Sequence, residues 1–213
     1  MTANYFIKEK YALNTEEIDD LRNLIIDAFD YHSWIPEEQI DSIVTFFIYD
    51  IVISSNYYTV VYDKDERLIG LITAQIFKNG KLSDHIRLRQ DYFHMLKKSI
   101  STKQVAFSQY IESMERDEQN LLEHGVEYPA NLNFFAIKTD WQKVGIGKEL
   151  YSLFIGYLKK ININKFYILS DTGSNYKFYE KNNALKVKEW LHSWDLEDEE
   201  NTDTFFIYEQ SIE

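Results

Sequence analysis

The sequence predicts an α/β protein, in which a mixed sheet is flanked by helices. Three observations carry this. Short β-branched and aromatic runs, such as Tyr57 to Tyr62 and Leu68 to Phe77, read as strands. Other runs repeat apolar residues at helical spacing, as Ile40, Ile43, Val44, Phe47 and Ile51 do. The apolar run Asn133 to Ile137 leads through Gln142-Lys143-Val144-Gly145-Ile146-Gly147 into an amphipathic run, so a strand, a glycine turn and a helix follow one another.

Tyr5 to Ala12 is predicted as the first strand. Asn14 and Glu17 then stand at the spacing of a capping box and open a helix that carries Ile18, Leu21, Ile25, Ala28 and Phe29. Pro36 suits the first turn of the next helix. The strands Tyr57 to Tyr62 and Leu68 to Phe77 flank the polar turn Asp63 to Glu66, and Gly70 marks a bulge or a close approach. After Asn79-Gly80, Ser83 to Ile100 reads as a helix. Phe107, Tyr110, Ile111, Met114, Leu121 and Leu122 mark another, which Gly125 ends. Leu132 to Lys138 is the fourth strand. The helix Ile146 to Lys159 is expected to bury Ile146, Leu150, Leu153, Phe154, Tyr157 and Leu158. Lys165 to Leu169 reads as a strand and Tyr176 to Lys181 as a short helix. Leu185 to Leu196 and Thr204 to Ser211 close the chain as strands around the acidic loop Asp195 to Asp203. The order is βααββ, a helical insertion at about 81–126, then βαβαββ, read as one domain over 1–213.

Composition narrows the function. A net charge of −12 argues against nonspecific binding to nucleic acid or anionic membranes. No run approaches the roughly 18 apolar residues of a membrane span, and the N-terminus lacks a signal-peptide pattern, so a cytoplasmic protein is expected. There is no cysteine, hence no thiolate metal site and no thiol nucleophile. From Lys138 to Lys188 ten lysines face four acids, a local net of +6 against −18 elsewhere. The glycine turn lies in this basic part.

A helix N-terminus offers unpaired N–H groups and a positive dipole end. Glycines let a phosphate approach the backbone. Lys143 and Lys148 add charge to the turn. An anion such as a pyrophosphate suits it, although the glycines would also serve simply to cap and pack a helix.

At Gln142, Gly145 and Gly147 the sequence resembles the GNAT superfamily of N-acetyltransferases, whose signature is Arg/Gln-x-x-Gly-x-Gly/Ala. A second family feature, an Asn followed by a Phe-Tyr-Glu cluster on a short helix, reads here as Asn175-Tyr176-Lys177-Phe178-Tyr179-Glu180-Lys181. The element order outside the insertion is also similar. The resemblance implies a twisted, mostly antiparallel sheet splayed at its fourth and fifth strands. It implies acetyl-CoA as co-substrate, with Gln142, Lys143, Val144, Gly145, Ile146, Gly147 and Lys148 around its pyrophosphate. Phe135, Ala136 and Ile137 would pair with the pantetheine and Asn175 would bond the CoA arm. Tyr179 would protonate the departing thiolate, a task open to a phenol of pKa about 10. The other reading of Tyr179 is a tyrosine packed in the core beside Phe178. At helical spacing Asn175 and Tyr179 share a face.

The resemblance implies a small-molecule or peptidic amine as acceptor. Without cysteine, direct attack on the bound thioester is the simplest route. Glu127 and Asp140 lie near the fourth strand but read as surface carboxylates rather than as a base. His32, His85, His94, His124 and His192 show no metal-ligand spacing and read as surface or edge residues, so no metal is expected. The Asp195 to Asp203 loop lacks calcium-loop spacing and reads as a hairpin tip. Glu112, Glu115, Asp117, Glu118, Glu123 and Glu127 suggest an acidic lip for a cationic acceptor; an ordinary solvated face or a homodimer surface would use the same residues. The alternative to an enzyme is a noncatalytic acyl-CoA-binding module.

Overall fold

A computed structural model describes residues 5–77, 81–101, 103–194 and 202–212. The chain divides into two compact units. Seven strands and seven helices among the described residues give the mixed α/β class that the sequence predicts.

The first unit opens with β1 (Tyr5–Lys10), α1 (Thr15–Ala28), a short α2 (Tyr31–Trp34), α3 (Glu37–Ile53), β2 (Tyr57–Asp63) and β3 (Leu68–Ile76). It resumes with most of β4 (Ala130–Ile137) and with α6 (Ile146–Lys160). Its strands lie in the order β1-β2-β3-β4. β2 is antiparallel to both β1 and β3. The register shifts where Val61 opposes Gly70 and Tyr62 opposes Leu68, leaving Ile69 as the extra residue of a bulge. Gly70 is also a close approach: a Cβ there would stand 2.7 Å from Ile137 Cδ1 and 3.4 Å from the Ala136 carbonyl oxygen. Both readings of this glycine hold.

The predicted α3 stripe is largely buried at Ile40, Ile43, Val44 and Ile51. Phe47 from α3 and Phe134 from β4 meet edge to face, at 5.7 Å between ring centroids. Phe29, just past α1, packs on Phe47 at 5.7 Å. On α6, Leu153 is exposed and Tyr151 is buried in its stead, stacked near Phe135. Tyr157 is half-buried against Tyr57. The sequence pattern assigned Leu153 inward because helical spacing alone tolerates either neighbour. The aromatic partners Phe135 and Tyr57 decide the rotation of the helix.

The second unit holds α4 (Leu82–Ser99), α5 (Val105–His124), β5 (Lys165–Asp171), α7 (Lys177–Lys181), β6 (Leu185–Ser193) and β7 (Thr202–Ser211). Its strands lie in the order β5-β7-β6, and both pairs are antiparallel. Leu82, Ile86, Leu121, Tyr128, Tyr167 and Ile207 form its core. Gly125 ends α5 at φ 70, as expected of a left-handed cap. β6 stops at Ser193, short of the predicted Leu196. Residues 195–201 of the predicted hairpin tip and the predicted turn Asn79-Gly80 lie outside the described residues. No helix among the described residues is long and apolar enough to cross a membrane.

Candidate functional site

The loop after β4 is built from local bonds. Lys138 N–H donates to the Ile69 carbonyl at 2.8 Å, and Trp141 N–H to that of Lys138 at 2.8 Å. Thr139 gives both its N–H and its hydroxyl to Asp27 Oδ2, each at 2.9 Å. A single 3-10 turn, Thr139–Trp141, results. Gln142 folds back, its Nε2 donating to the Ile137 carbonyl at 3.1 Å. This amide braces the loop against the end of β4.

Beyond Gln142 the backbone turns left-handed twice, at Lys143 (φ 66) and Gly145 (φ 98). A lysine in that region carries about 1–2 kcal/mol of strain. Such strain gathers where the chain is shaped for a ligand. Helix α6 starts at Ile146, which is buried and anchors the turn. The first bond into the helix is Glu149 N–H to the Gly145 carbonyl at 3.1 Å. No side chain caps this end. Among the described residues, the N–H groups of Ile146, Gly147 and Lys148 meet no acceptor. Gln142, Lys143, Val144, Gly145 and Lys148 are exposed around them. Phe135 and Ile137 are half-buried and Ala136 is buried. A Cβ on Gly147 would meet only Phe135 Cζ, at an ordinary 3.5 Å. The protein itself therefore leaves room for a side chain at Gly147. A helix start with open donors, glycines and flanking lysines can hold a phosphate.

The second motif lies in the second unit. Asn175 is exposed and stands in the turn before α7, which starts only at Lys177. The predicted helix Tyr176 to Lys181 is found within one residue of its start, with Asn175 just ahead of it. Asn175 acts at the turn, its carbonyl accepting Phe178 N–H at 2.9 Å. Tyr179 is buried, edge to face with Phe178 at 5.7 Å and tilted against Tyr208 at 6.1 Å.

The acidic row of α5 is not an open lip. Lys97 reaches Glu115 at 2.9 Å and Glu112 at 3.5 Å. Arg89 pairs with Glu118, which is buried. Lys188 reaches Glu123 at 2.9 Å. Glu127 accepts the Ser83 N–H at 3.4 Å at the start of α4, and the side-chain and backbone bonds from Ser83 lower its pKa. A carboxylate held low is a weak base, so Glu127 serves α4. Asp140 is exposed and lines a cavity of about 320 Å³ with Asp20, Arg67, Lys138 and Trp141.

Two carboxyls are pushed upward instead. Burial raises Asp171 to about 6, and the neighbouring charge of Asp203 adds to it. Burial also lifts Asp117 well above the usual carboxylate range, with the charges of Asp171 and Glu118 adding. The Asp117 Oδ1 atom is sealed and has no hydrogen-bond partner among the described residues. His192 stands on β6, the strand at the end of the sheet order, as an edge residue, but it is not at the surface. It is buried at 7% exposure between Trp194 and Phe205, and burial lowers its pKa. Among the described residues no cluster of three or more His, Asp or Glu side chains is placed to hold a metal ion.

No protein-family model matches the sequence, and no curated protein does either. Solved structures do match over nearly the whole chain. The PaiA N-acetyltransferase of Thermoplasma acidophilum, solved with coenzyme A, is 15% identical; the match covers 97% of this chain and 99% of that one, at a TM-score of 0.54. A mosquito arylalkylamine N-acetyltransferase-like protein is 12% identical over 95% and 99%, with a TM-score of 0.57. A protein from Desulfovibrio desulfuricans ascribed to the GNAT acetyltransferases is 8% identical over 98% and 99%, with a TM-score of 0.55. The chain has the fold of the GNAT acetyltransferases.

Proposed function

We infer that this protein transfers an acetyl group from acetyl-CoA to a primary amine. The observation that carries this reading is the uncapped start of α6, with open N–H groups at Ile146, Gly147 and Lys148 behind the left-handed Gly145. These donors and the lysines beside them suit the CoA pyrophosphate. Gln142 shapes the loop through its bond to Ile137. The backbone of Phe135, Ala136 and Ile137 would pair with the pantetheine, Asn175 would bond the arm, and Tyr179 would act as acid, as the resemblance implies.

The amine nitrogen would attack the thioester carbonyl and form the C–N bond as the C–S bond breaks. The proton lost by the amine passes to solvent or to a base, and Tyr179 supplies one to the thiolate. With no cysteine in the chain, an acyl-cysteine intermediate is excluded. The solved neighbours include an aminoglycoside 6'-acetyltransferase and a ribosomal-protein-S18-alanine N-acetyltransferase, which supports an amine acceptor in general. The test is CoA thiol release in a screen of amines. Tyr179→Phe should slow turnover about 100-fold, within the usual range for general acid catalysis, while CoA affinity holds. Equal turnover would remove Tyr179 from the reaction.

The pairing of Glu127 with α4 favours one second reading, a noncatalytic acyl-CoA-binding module. Tight CoA binding by calorimetry with no thiol release from any amine would select it.

A further inference from the structure

The turn that delivers Asn175 and α7 is held from two sides, entirely within the second unit. Thr172 opens it. The Thr172 hydroxyl donates to Asp203 Oδ1 at 2.7 Å, and its Oγ1 accepts the Thr204 N–H at 3.1 Å. Thr172 N–H donates to the Thr204 carbonyl at 3.0 Å. The other oxygen of Asp203, Oδ2, accepts Trp194 Nε1–H at 2.7 Å. The Trp194 carbonyl in turn accepts from Gln109 Nε2 on α5. One carboxylate thus ties the residue after β6 and the start of β7 to the first residue after β5. On the opposite side, the Ser174 hydroxyl donates to the Asp171 carbonyl at 2.9 Å and lies 2.7 Å from Ser170 Oγ.

Gly173 makes this geometry accessible. A Cβ there would stand 3.2 Å from Asp171 Oδ1 and 3.9 Å from Asp203 Oδ1. Two carboxylates therefore close around one glycine, and the charge of Asp203 adds to the burial that opposes ionisation of Asp171. The turn is thus fixed by hydrogen bonds from β5, β7 and the residue after β6.

We propose that Asp203 and Thr172 are positioning residues, which set the β5–α7 turn and through it Asn175 and Tyr179 for acetyl transfer. The proposal rests on the acetyltransferase reading. Neither residue touches the reacting atoms. Their work is to hold the turn with a charge-assisted bond, which is stronger and more directional than a neutral one.

Thr172→Val removes the hydroxyl at nearly constant shape, and Thr172→Ser restores it. In the full chain, Thr172→Val removes both bonds of Oγ1 and should raise amide hydrogen exchange at residues 173–179 at least about tenfold. The melting temperature should move by no more than about 3 °C. With acetyl-CoA and an amine found by screening, kcat should fall about tenfold while the acceptor KM changes less than about threefold. Thr172→Ser should return both exchange and kcat to wild type. Unchanged exchange in Thr172→Val overturns the proposal. So does a loosened turn with unchanged kcat, and so does failure of the serine to rescue. A wild-type protein that neither binds CoA nor releases thiol rejects the acetyltransferase reading, and with it this service to catalysis; the exchange data still accept or reject the clamp itself.

Discussion

Helices α1 and α6 of the first unit begin in opposite ways. At α1, Asn14 Oδ1 accepts Glu17 N–H at 2.9 Å and Glu17 Oε2 accepts Asn14 N–H at 2.8 Å. Glu17 also takes bonds from Lys10 and Tyr62 and is buried. Asn14 is exposed and Glu17 buried, and the bonds of the box join the protein's own groups. At α6 a glycine at φ 98 stands where a capping side chain would, and a strained lysine precedes it. A side-chain cap is worth about 1 kcal/mol. Helix α6 forgoes that term, because its cap position is a left-handed glycine at which a side chain would be strained. The difference separates a helix start built for stability from one that keeps its donors available to something outside the chain.

Gly147→Ala breaks the comparison most directly. The added methyl meets only Phe135 at an ordinary distance, and alanine favours a helix over glycine by about 1 kcal/mol. The melting temperature should hold or rise. Affinity for CoA, measured by calorimetry, should fall about 10- to 100-fold, the worth of one charge-assisted hydrogen bond. Unchanged affinity would show that the open start of α6 is not the phosphate cradle.

The carboxylates sharpen the contrast with opposite signs of pH dependence. For Glu17 burial pushes the pKa up, but bonds from Lys10, Tyr62 and Asn14 outweigh it and the net shift is down. Its stabilisation is present above the ordinary glutamate pKa and is lost as pH falls below it. Asp171 is raised to about 6. Its folded state binds the proton more tightly than the unfolded chain, so its contribution to stability falls as pH rises from about 4 to 6. Asp171→Asn should therefore gain on the order of 1–2 kcal/mol at pH 7, with the gain vanishing near pH 4. Urea unfolding of both proteins across that range reads this difference.

Asn14→Ala should cost about 1 kcal/mol in the same assay and leave CoA affinity untouched, because the cap of α1 is already filled by the protein's own side chains. The smallest effect is expected from Lys143→Gly. Relief of the left-handed strain, offset by glycine's greater unfolded-state entropy, should change stability by less than about 1 kcal/mol. Loss of the lysine's charge should weaken CoA binding modestly, and less so at high salt.

Short-range signals are legible in the amino-acid sequence. The capping box at Asn14 and Glu17, the Gly125 cap and the start of α6 behind Gly145 all appear where the residues place them. Each depends on residues within one turn of one another. The misreadings share the opposite property. Tyr151 rather than Leu153 turns inward because of Phe135 on β4. The acidic row of α5 is neutralised by Lys97, Arg89 and Lys188, which come from α4 and β6. His192 is buried by Trp194 and Phe205, and the latter comes from β7.

The sequence by itself determined the order of strands and helices apart from the short α2, the glycine turn before α6 and the exclusion of a thiol intermediate. Periodicity, capping chemistry and composition act over a few residues and need no partner. Only the tertiary structure decided which acids stay unpaired, which histidine is buried and what holds the turn at Thr172. Those outcomes depend on charges and hydrogen bonds between segments that meet only in the folded chain, where burial makes each partner count.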